Sequence, residues 1–156
     1  MGSVFAEITL TNVYDVALAS EGYIKEKDIR SLTVNALVDT GAISLCMNEE
    51  IRIKLGLKID QIRPIRLANG EYVICQQTEP VDITWKEPLT RPSYQSDSSN
   101  TPKIRSSACK AIVIPGAEFV LLGAIPLEDL DLKVDPREHK LVGIHGDEWV
   151  CDVMIA

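Results

Sequence analysis

The sequence predicts a mostly β protein with one or two short helices, folded as a single domain over residues 1–156. Three observations indicate this fold class. Stretches of apolar and β-branched residues recur along the chain, an Asn-Gly pair stands between two of them, and helical periodicity is scarce. The chain has 156 residues, 46% of them hydrophobic and 25% charged, which is typical of one globular domain with its own core.

Six stretches are predicted to be strands. They cover residues 4–10, 29–38, 72–76, 81–85, 110–114 and 119–122. In the first stretch Val4, Ala6, Ile8 and Leu10 alternate with their neighbours, a period of two that predicts a strand with one buried face.

Two short helices are predicted. The first follows Asn48, a good N-cap, carries two glutamates in its first turn and ends at Gly56. The second begins at Pro126 and places Leu127 and Leu130 on one face.

The connections carry two further signals. Asn69-Gly70 stands between two apolar stretches and predicts a β-hairpin with a type I′ turn, which needs positive φ at both central residues. Residues 87–107 are rich in proline and serine and poor in apolar side chains, so they are predicted to form a flexible inserted loop. An alternative is that this loop contacts substrate or is itself cleaved.

Composition excludes several classes of function. A net charge of −7 and a pI near 4.8 argue against nucleic acid as a partner, because phosphate binding needs clustered Lys and Arg. No apolar run reaches the 18 residues that would span a bilayer, and the first residues do not form a signal peptide, so a soluble, cytoplasmic protein without a membrane partner is expected.

The cysteines and histidines do not predict a metal site. Cys46, Cys75, Cys109 and Cys151 lie far apart, without a C-x-x-C pair, and are expected to be reduced thiols. His139 and His145 have no matching cysteine pair and are expected at the surface. We therefore expect no metal and no cofactor.

The segment around Asp39 is a candidate catalytic site. Water can be driven onto a peptide carbonyl by two carboxylates that share one proton, since two like charges about 3 Å apart cannot both ionise. Here an apolar strand runs directly into Asp39-Thr40-Gly41-Ala42, which would place an ionisable group on a turn of small residues. The alternative is that Asp39 only caps a turn, as Asp before Gly often does.

The segment Ala36-Leu37-Val38-Asp39-Thr40-Gly41-Ala42 resembles the retropepsin-like aspartic peptidases, in particular their bacterial relatives. The downstream segment 120–130, with two leucines and a glycine before a short helix, is similar to that family's second hallmark. Residues 67–72 stand where the family has its flap hairpin. The resemblance covers residues 4–142 apart from the loop, and it implies a single acid-protease lobe with a closed, barrel-like sheet.

The resemblance implies roles for individual residues. Asp39 would be the catalytic aspartate, and Thr40 and Gly41 would support its loop. Leu122 and Gly123 would pack behind that loop. The residues implied in substrate binding are Ala42, Leu67, Ala68, Asn69, Gly70 and Tyr72.

The chain differs from the viral members of this peptidase family at three positions. Ile43 and Ser44 stand where those enzymes carry two acidic residues, and Ala124 stands where they carry an arginine. The losses are mutually consistent, because neither a carboxylate nor a guanidinium is left without its partner. The resemblance therefore implies the family's chemistry and not the viral substrate preference.

Only one aspartate, Asp39, is followed by Thr or Ser and then Gly, and the chain is short for two lobes. A homodimer would bring Asp39 and its copy together on the two-fold axis, giving an aspartic endopeptidase that acts on polypeptides. The alternating tail 149–155 is a candidate interface strand or an edge strand of the monomer.

Two rival functions remain open at the level of sequence. The first is a catalytically silent module of the same fold that binds peptides or dimerises. The second is a small structural β domain in which Asp39 caps a turn.

Overall fold

The computed structural model describes residues 2–88 and 103–151, and in that part of the chain the protein is mostly β. In chain order the elements are β1 (Phe5–Asn12), α1 (Val13–Ser20), a 3-10 turn (Glu26–Asp28), β2 (Ser31–Val38), β3 (Leu45–Met47), α2 (Glu49–Leu55), β4 (Ile59–Arg66), β5 (Tyr72–Lys86), β6 (Ile104–Val113), β7 (Leu121–Leu122), α3 (Ala124–Asp129), β8 (Leu132–Asp135) and β9 (Lys140–Gly143). The predicted fold class, mostly β with short helices, is confirmed.

Seven strands form one sheet in the order β1-β2-β7-β3-β6-β5-β4. β1 also pairs with β5, from Thr9 opposite Thr84 to Asn12 opposite Val81, so the sheet curls back on itself around the core. β8 and β9 form a separate two-stranded sheet. The core contains fully buried side chains from both halves of the chain, among them Leu10, Leu45, Met47, Ile83 and Leu122.

The register gives this sheet two chemically different faces. Residues directly opposite each other in neighbouring strands point to the same side. Leu37 lies opposite Leu121, Leu121 opposite Cys46, and Cys46 opposite Ile112, so these four side chains share one face. Leu122, Leu45, Met47 and Ala111 point to the other side and are fully buried in the core. We call the face that carries Leu37, Leu121, Cys46 and Ile112 the site face.

Several predicted elements are confirmed. β1 and β2 occupy the predicted stretches 4–10 and 29–38 to within a few residues. α2 follows Asn48, whose side chain accepts the Ile51 N–H at 2.9 Å, and it ends at Gly56 with φ +64. α3 begins at Ala124, two residues earlier than predicted, because Gly123 in an extended conformation starts the helix.

Two predicted boundaries are wrong. The stretches 72–76 and 81–85 belong to one strand, β5, with a register shift between Gln77 and Pro80 where β6 pairs with it. β6 begins at Ile104, so the predicted loop 87–107 is wrong for residues 104–107. Trp85 lies opposite Arg105, and Glu87 N–H donates to Lys103 O at 2.9 Å. The rest of that loop, residues 89–102, lies outside the described residues.

The predicted type I′ turn is also wrong. The β4–β5 hairpin forms as expected, but Asn69 does not have positive φ, and only Gly70 does, at +86. Leu67 N–H donates to Glu71 O at 2.8 Å, and Gly70 N–H donates to Leu67 O at 2.9 Å. This is a three-residue loop with glycine in the left-handed position. The Asn69 side chain accepts the Glu71 N–H at 3.0 Å, which fixes the turn.

The sequence did not predict α1, β3 or the β8–β9 hairpin. α1 contains Val13, Tyr14 and Val16, which favour strands by local propensity. It forms because Asn12 caps its first turn by accepting the Asp15 N–H at 3.0 Å, and because the buried Asp15 carboxylate binds Arg30 through two guanidinium nitrogens at 2.8 Å each.

The C-terminal tail was predicted to be a strand over 149–155. Residues 149–151 are not in a strand, and the Trp149 indole donates instead to Asp129 O at 3.1 Å. Residues 152–155 lie outside the described residues. In the described ranges no helix has the length and apolarity needed to cross a membrane.

Candidate active site

Asp39 stands where two parallel strands end together. β2 runs parallel to β7, with Val38 opposite Leu122, and Asp39 N–H continues the ladder by donating to Leu122 O at 3.1 Å. The chain then turns, because Ala42 N–H donates back to Asp39 O at 3.1 Å. Backbone hydrogen bonds on both sides of the turn therefore fix the position of Asp39. We call residues 39–44 the Asp39 loop.

The Asp39 carboxylate is oriented by its own loop. Gly41 N–H donates to Asp39 Oδ1 at 2.9 Å, and a Cβ at Gly41 would lie 3.1 Å from the same oxygen. Asp39 is half-buried, while Thr40 and Gly41 are exposed and Ala42 is half-buried. The carboxylate thus has a defined direction and remains open to a reactant.

Residues 123–125 pack against the Asp39 loop and hold it in place. Ala124 N–H donates to Ala42 O at 2.8 Å, and Ile125 N–H donates to Ile43 O at 2.9 Å. A Cβ at Gly123 would lie 2.4 Å from Ser44 O and 2.7 Å from Ala42 O, so only glycine fits there. Leu122 is fully buried beneath it. The structure therefore brings Asp39, Thr40, Gly41, Ala42, Leu122 and Gly123 together.

The part of the site face next to Asp39 is apolar. Asp39 follows Leu37 by two residues in a chain that is still paired with Leu122, which puts its side chain on the site face. Phe5, opposite Leu37, makes an edge-to-face contact with Phe119 at a centroid distance of 5.2 Å. Apolar side chains therefore run along the site face from this aromatic pair towards Cys46.

Cys46 lies on the site face, between Asp39 and the β4–β5 hairpin. Burial raises the pKa of the Cys46 thiol to about 11, and the negative charge of Asp39 and the neighbouring Cys75 act in the same direction. Cys75 lies in β5 at the base of the hairpin and is buried. The thiol near Asp39 therefore stays protonated at neutral pH and is not an activated nucleophile. All four cysteines fall in the described ranges and are free thiols.

The tip of the β4–β5 hairpin is exposed. Leu67 and Tyr72 are 41% and 69% exposed, and Ala68 and Asn69 are exposed as well. The hydrogen bonds of Asn69 and Gly70 described above are made within the turn itself. The hairpin residues predicted to bind substrate thus lie at the surface, while Cys75 at the base of the hairpin lies near Cys46. A cavity of about 500 Å³ is lined by residues of β4, β5 and β6 together with Glu49 and Pro115; Cys75 is one of its lining residues, but none of the predicted site residues is.

A buried ionic cluster, absent from the sequence predictions, lies at the other end of β6. Arg105 is 3% exposed and donates to four backbone carbonyls, those of Leu130, Asp131, Gly146 and Glu148, at 2.7 to 3.2 Å. Its guanidinium also lies 3.5 Å from the Asp131 carboxylate. Because Arg105 fell within the predicted loop, no pattern in the sequence indicated that it would be buried.

Asp131 is the anion of this cluster. Its Oδ1 lies 2.8 Å from His145 Nδ1, and its Oδ2 accepts the Val150 N–H at 3.1 Å. Burial acts to raise the pKa of the Asp131 carboxyl, but Val150 N–H, His145 and Arg105 together hold it below its ordinary value. His145 is thus at the surface, as expected, but it contacts a buried carboxylate. The cluster fastens residues 144–150 to the end of α3.

Comparison of the chain with protein-family models and with curated protein sequences returns no match. Within residues 2–88 and 103–151, no three His, Cys, Asp or Glu side chains are grouped so as to hold a metal ion. The functional interpretation therefore depends on the geometry around Asp39.

Proposed function

We propose that this protein is an aspartic endopeptidase with a retropepsin-like lobe, in which two copies of the chain each supply one Asp39. One observation carries the proposal. A half-exposed carboxylate is held by backbone hydrogen bonds at the shared end of β2 and β7, it is oriented by the Gly41 N–H, and it lies beside the apolar part of the site face. An aspartate that only capped a turn would need the hydrogen bond from Gly41 N–H. It would not need a second segment packed against its loop, as Gly123 is here.

The chemistry follows from two carboxylates that face each other across a two-fold axis. Two like charges about 3 Å apart cannot both ionise, so the two carboxylates share one proton. The ionised Asp39 accepts a proton from water as the water attacks the peptide carbonyl carbon, and the protonated Asp39 donates its proton during the same addition. Protonation of the amide nitrogen then lets the C–N bond break.

The second carboxylate has to come from another chain. In this sequence Asp39 is the one aspartate followed by Thr or Ser and Gly. The exposed position of Thr40 beside Asp39 would let its hydroxyl bond to the partner's loop. The active species is therefore a homodimer, and the chain as a monomer has half a site.

The test compares the native protein with Asp39→Asn on an unfolded protein substrate between about pH 3 and pH 7, at several enzyme concentrations. Asn keeps an oxygen that can accept the Gly41 N–H, so the loop should stay intact while the ionisable group is lost. The expected result is cleavage by the native protein and none by Asp39→Asn, with a rate that rises faster than linearly with enzyme concentration. Asp28→Asn, an exposed aspartate in the 3-10 turn, is the matched control and should cleave normally.

Two outcomes would contradict the proposal. Equal cleavage by the native protein and Asp39→Asn would identify a contaminating peptidase. No cleavage at any pH, together with binding of unfolded peptides or self-association, would make the protein a silent binding or dimerisation module of the same fold.

A further inference from the structure

The strand register carries an arginine onto the site face. Cys46 lies opposite Ile112, and Ile112 lies opposite Gln77 of β5. Cys75 is two residues from Gln77 and so points to the same side, and Arg63 of β4 lies directly opposite Cys75. The Arg63 side chain is exposed. It therefore adds to the site face, beyond its apolar part, a positive charge that a ligand can reach.

Within residues 2–88 and 103–151, the Arg63 guanidinium makes no ion pair and no side-chain hydrogen bond. The acidic residues of β4, of β5 and of the turn between them are each bound to another group: Asp60 to Lys110, Glu71 to Asn69, Glu79 to Lys58 and Asp82 to Thr84. Residues 40–48, which continue from Asp39 through β3, contain no Asp or Glu. Because a guanidinium stays charged and has five donors, Arg63 is free to bind a carboxylate of a bound molecule.

The β4–β5 hairpin is also positive in an acidic chain. Residues 61–76 contain two arginines and one glutamate, a net charge of +1, whereas the whole chain carries −7. An acidic group on a peptide is therefore repelled by most of the molecule and attracted at the hairpin. This difference would orient a peptide on the site face as well as bind it.

We infer that Arg63 selects polypeptide substrates that carry an acidic side chain about four residues from the bond cleaved at Asp39, by pairing its guanidinium with that carboxylate. The inference rests on the proposed function, since it takes the site face as the surface along which the peptide lies. Cys46 and Arg63 are separated by three strand spacings of about 4.8 Å, roughly 14 Å in all. An extended peptide covers that distance in about four residues, because each residue advances it by about 3.3 Å.

The experiment measures peptide binding by fluorescence anisotropy in the Asp39→Asn background, where no peptide is cleaved. The probes are dye-labelled peptides with an apolar centre and with Glu, Gln or Lys at one position, three to six residues from the centre on either side. At about pH 6.5 and low salt the glutamate is ionised, and at its best position the Glu peptide should bind about fivefold more tightly than the Gln peptide. This ratio should fall towards one in about 1 M salt, because an exposed ion pair is screened.

Arg63→Gln and Arg63→Glu are the test variants. Arg63→Gln should bind the Glu and Gln peptides equally, and Arg63→Glu should bind the Lys peptide most tightly. Arg66→Gln is the matched control, because Arg66 is an exposed arginine of the same strand, and strand alternation points it to the opposite side of the hairpin. It removes the same charge and should leave the Glu-to-Gln ratio within about twofold of its original value. Far-UV circular dichroism should be unchanged in all three.

The outcomes separate this inference from the proposed function. Equal binding of the Glu and Gln peptides at every position, or a preference that Arg63→Gln leaves intact, would overturn the role of Arg63 and leave the enzyme proposal standing. A preference that Arg66→Gln abolishes equally would also overturn it, because the effect would then belong to net charge. A preference that depends on Arg63 in a protein without peptidase activity would support the acidic-peptide site and overturn the enzyme.

Discussion

Gly123 fixes the shape of the Asp39 loop without taking part in any chemistry. Its φ of −88 is open to every residue, so backbone conformation does not explain why glycine is needed. The reason is space, because three backbone atoms of residues 42–44 lie within 2.8 Å of where a Cβ would be. Backbone atoms cannot rotate away as the end of a flexible side chain can.

We therefore expect Gly123→Ala to destabilise the fold by about 3 kcal/mol, the upper end of the usual cost of overpacking, and to reduce the proposed peptidase activity at least about tenfold. The displaced segment would be the Asp39 loop itself. Denaturant unfolding and kcat/KM measure the two effects.

Gly116→Ala is the control for this change. Gly116 has φ +72 but open space around it, so alanine there should cost about 1 kcal/mol and leave kcat/KM unchanged. Equal loss of activity in both variants would mean that the close packing at Gly123 does not position Asp39.

At the scale of elements, Arg105 joins parts of the chain that are distant in sequence. It lies in β6, and its donors reach the end of α3 and the segment after β9. The guanidinium fork suits this position, because several carbonyls and one carboxylate converge on it. Arg105 and Asp131 together therefore attach residues 144–150 to the end of α3.

Arg105→Met should lower the free energy of unfolding by about 3–5 kcal/mol, because the buried Asp131 charge and the carbonyls lose their partner while volume is conserved. Amide hydrogen exchange of residues 144–150 should accelerate more than that of β1 and β2. Arg137→Met is the matched control, since Arg137 is exposed in the β8–β9 connection and should matter little.

The loss of unfolding free energy in Arg105→Lys should lie between those of Arg137→Met and Arg105→Met. Lysine keeps the positive charge but cannot donate several hydrogen bonds from one planar group. Uniform acceleration of exchange across the whole chain in Arg105→Met would show that the effect is global and not confined to the attached segment.

At the scale of the whole molecule, the buried carboxylates set the response of stability to acid. The side-chain hydrogen bonds from Arg30 hold the pKa of Asp15 below its ordinary value of 3.8, and that of Asp131 is lowered as well. A carboxyl with a lower pKa in the folded state stabilises the fold above its unfolded pKa. It loses that contribution as the pH falls through the folded pKa.

The free energy of unfolding should therefore be nearly constant from about pH 7 to pH 5 and should fall below about pH 4. Asp15→Asn should be less stable at pH 7 by about 1–3 kcal/mol, because Arg30 loses a charged acceptor, and should lose less on acidification than the native protein. Urea titrations at a series of pH values measure both. A steeper acid dependence in Asp15→Asn would contradict this assignment.

The sequence by itself determined those features that depend on neighbouring residues. The alternation at residues 4–10, the Asn48 cap with Gly56, and the glycine in the hairpin turn each depend on short-range sterics and hydrogen bonding, which any fold must satisfy. The same holds for the position of Asp39 at the end of an apolar strand. For these features the pattern of a few residues is sufficient, and the structure has each of them.

Tertiary structure decided the remainder. α1 forms against the strand propensity of Val13 and Val16, because Asp15 meets Arg30 across fifteen residues of chain. Arg105 and Asp131 meet because the end of α3 packs against β6, far from it in sequence. The closeness of Gly123 to the Asp39 loop depends on β7 lying between β2 and β3. Contacts between residues far apart in sequence leave no local pattern. The sequence therefore predicted that a strand ends at Asp39, and only the tertiary structure showed that β7 and Gly123 fix the position of the Asp39 loop.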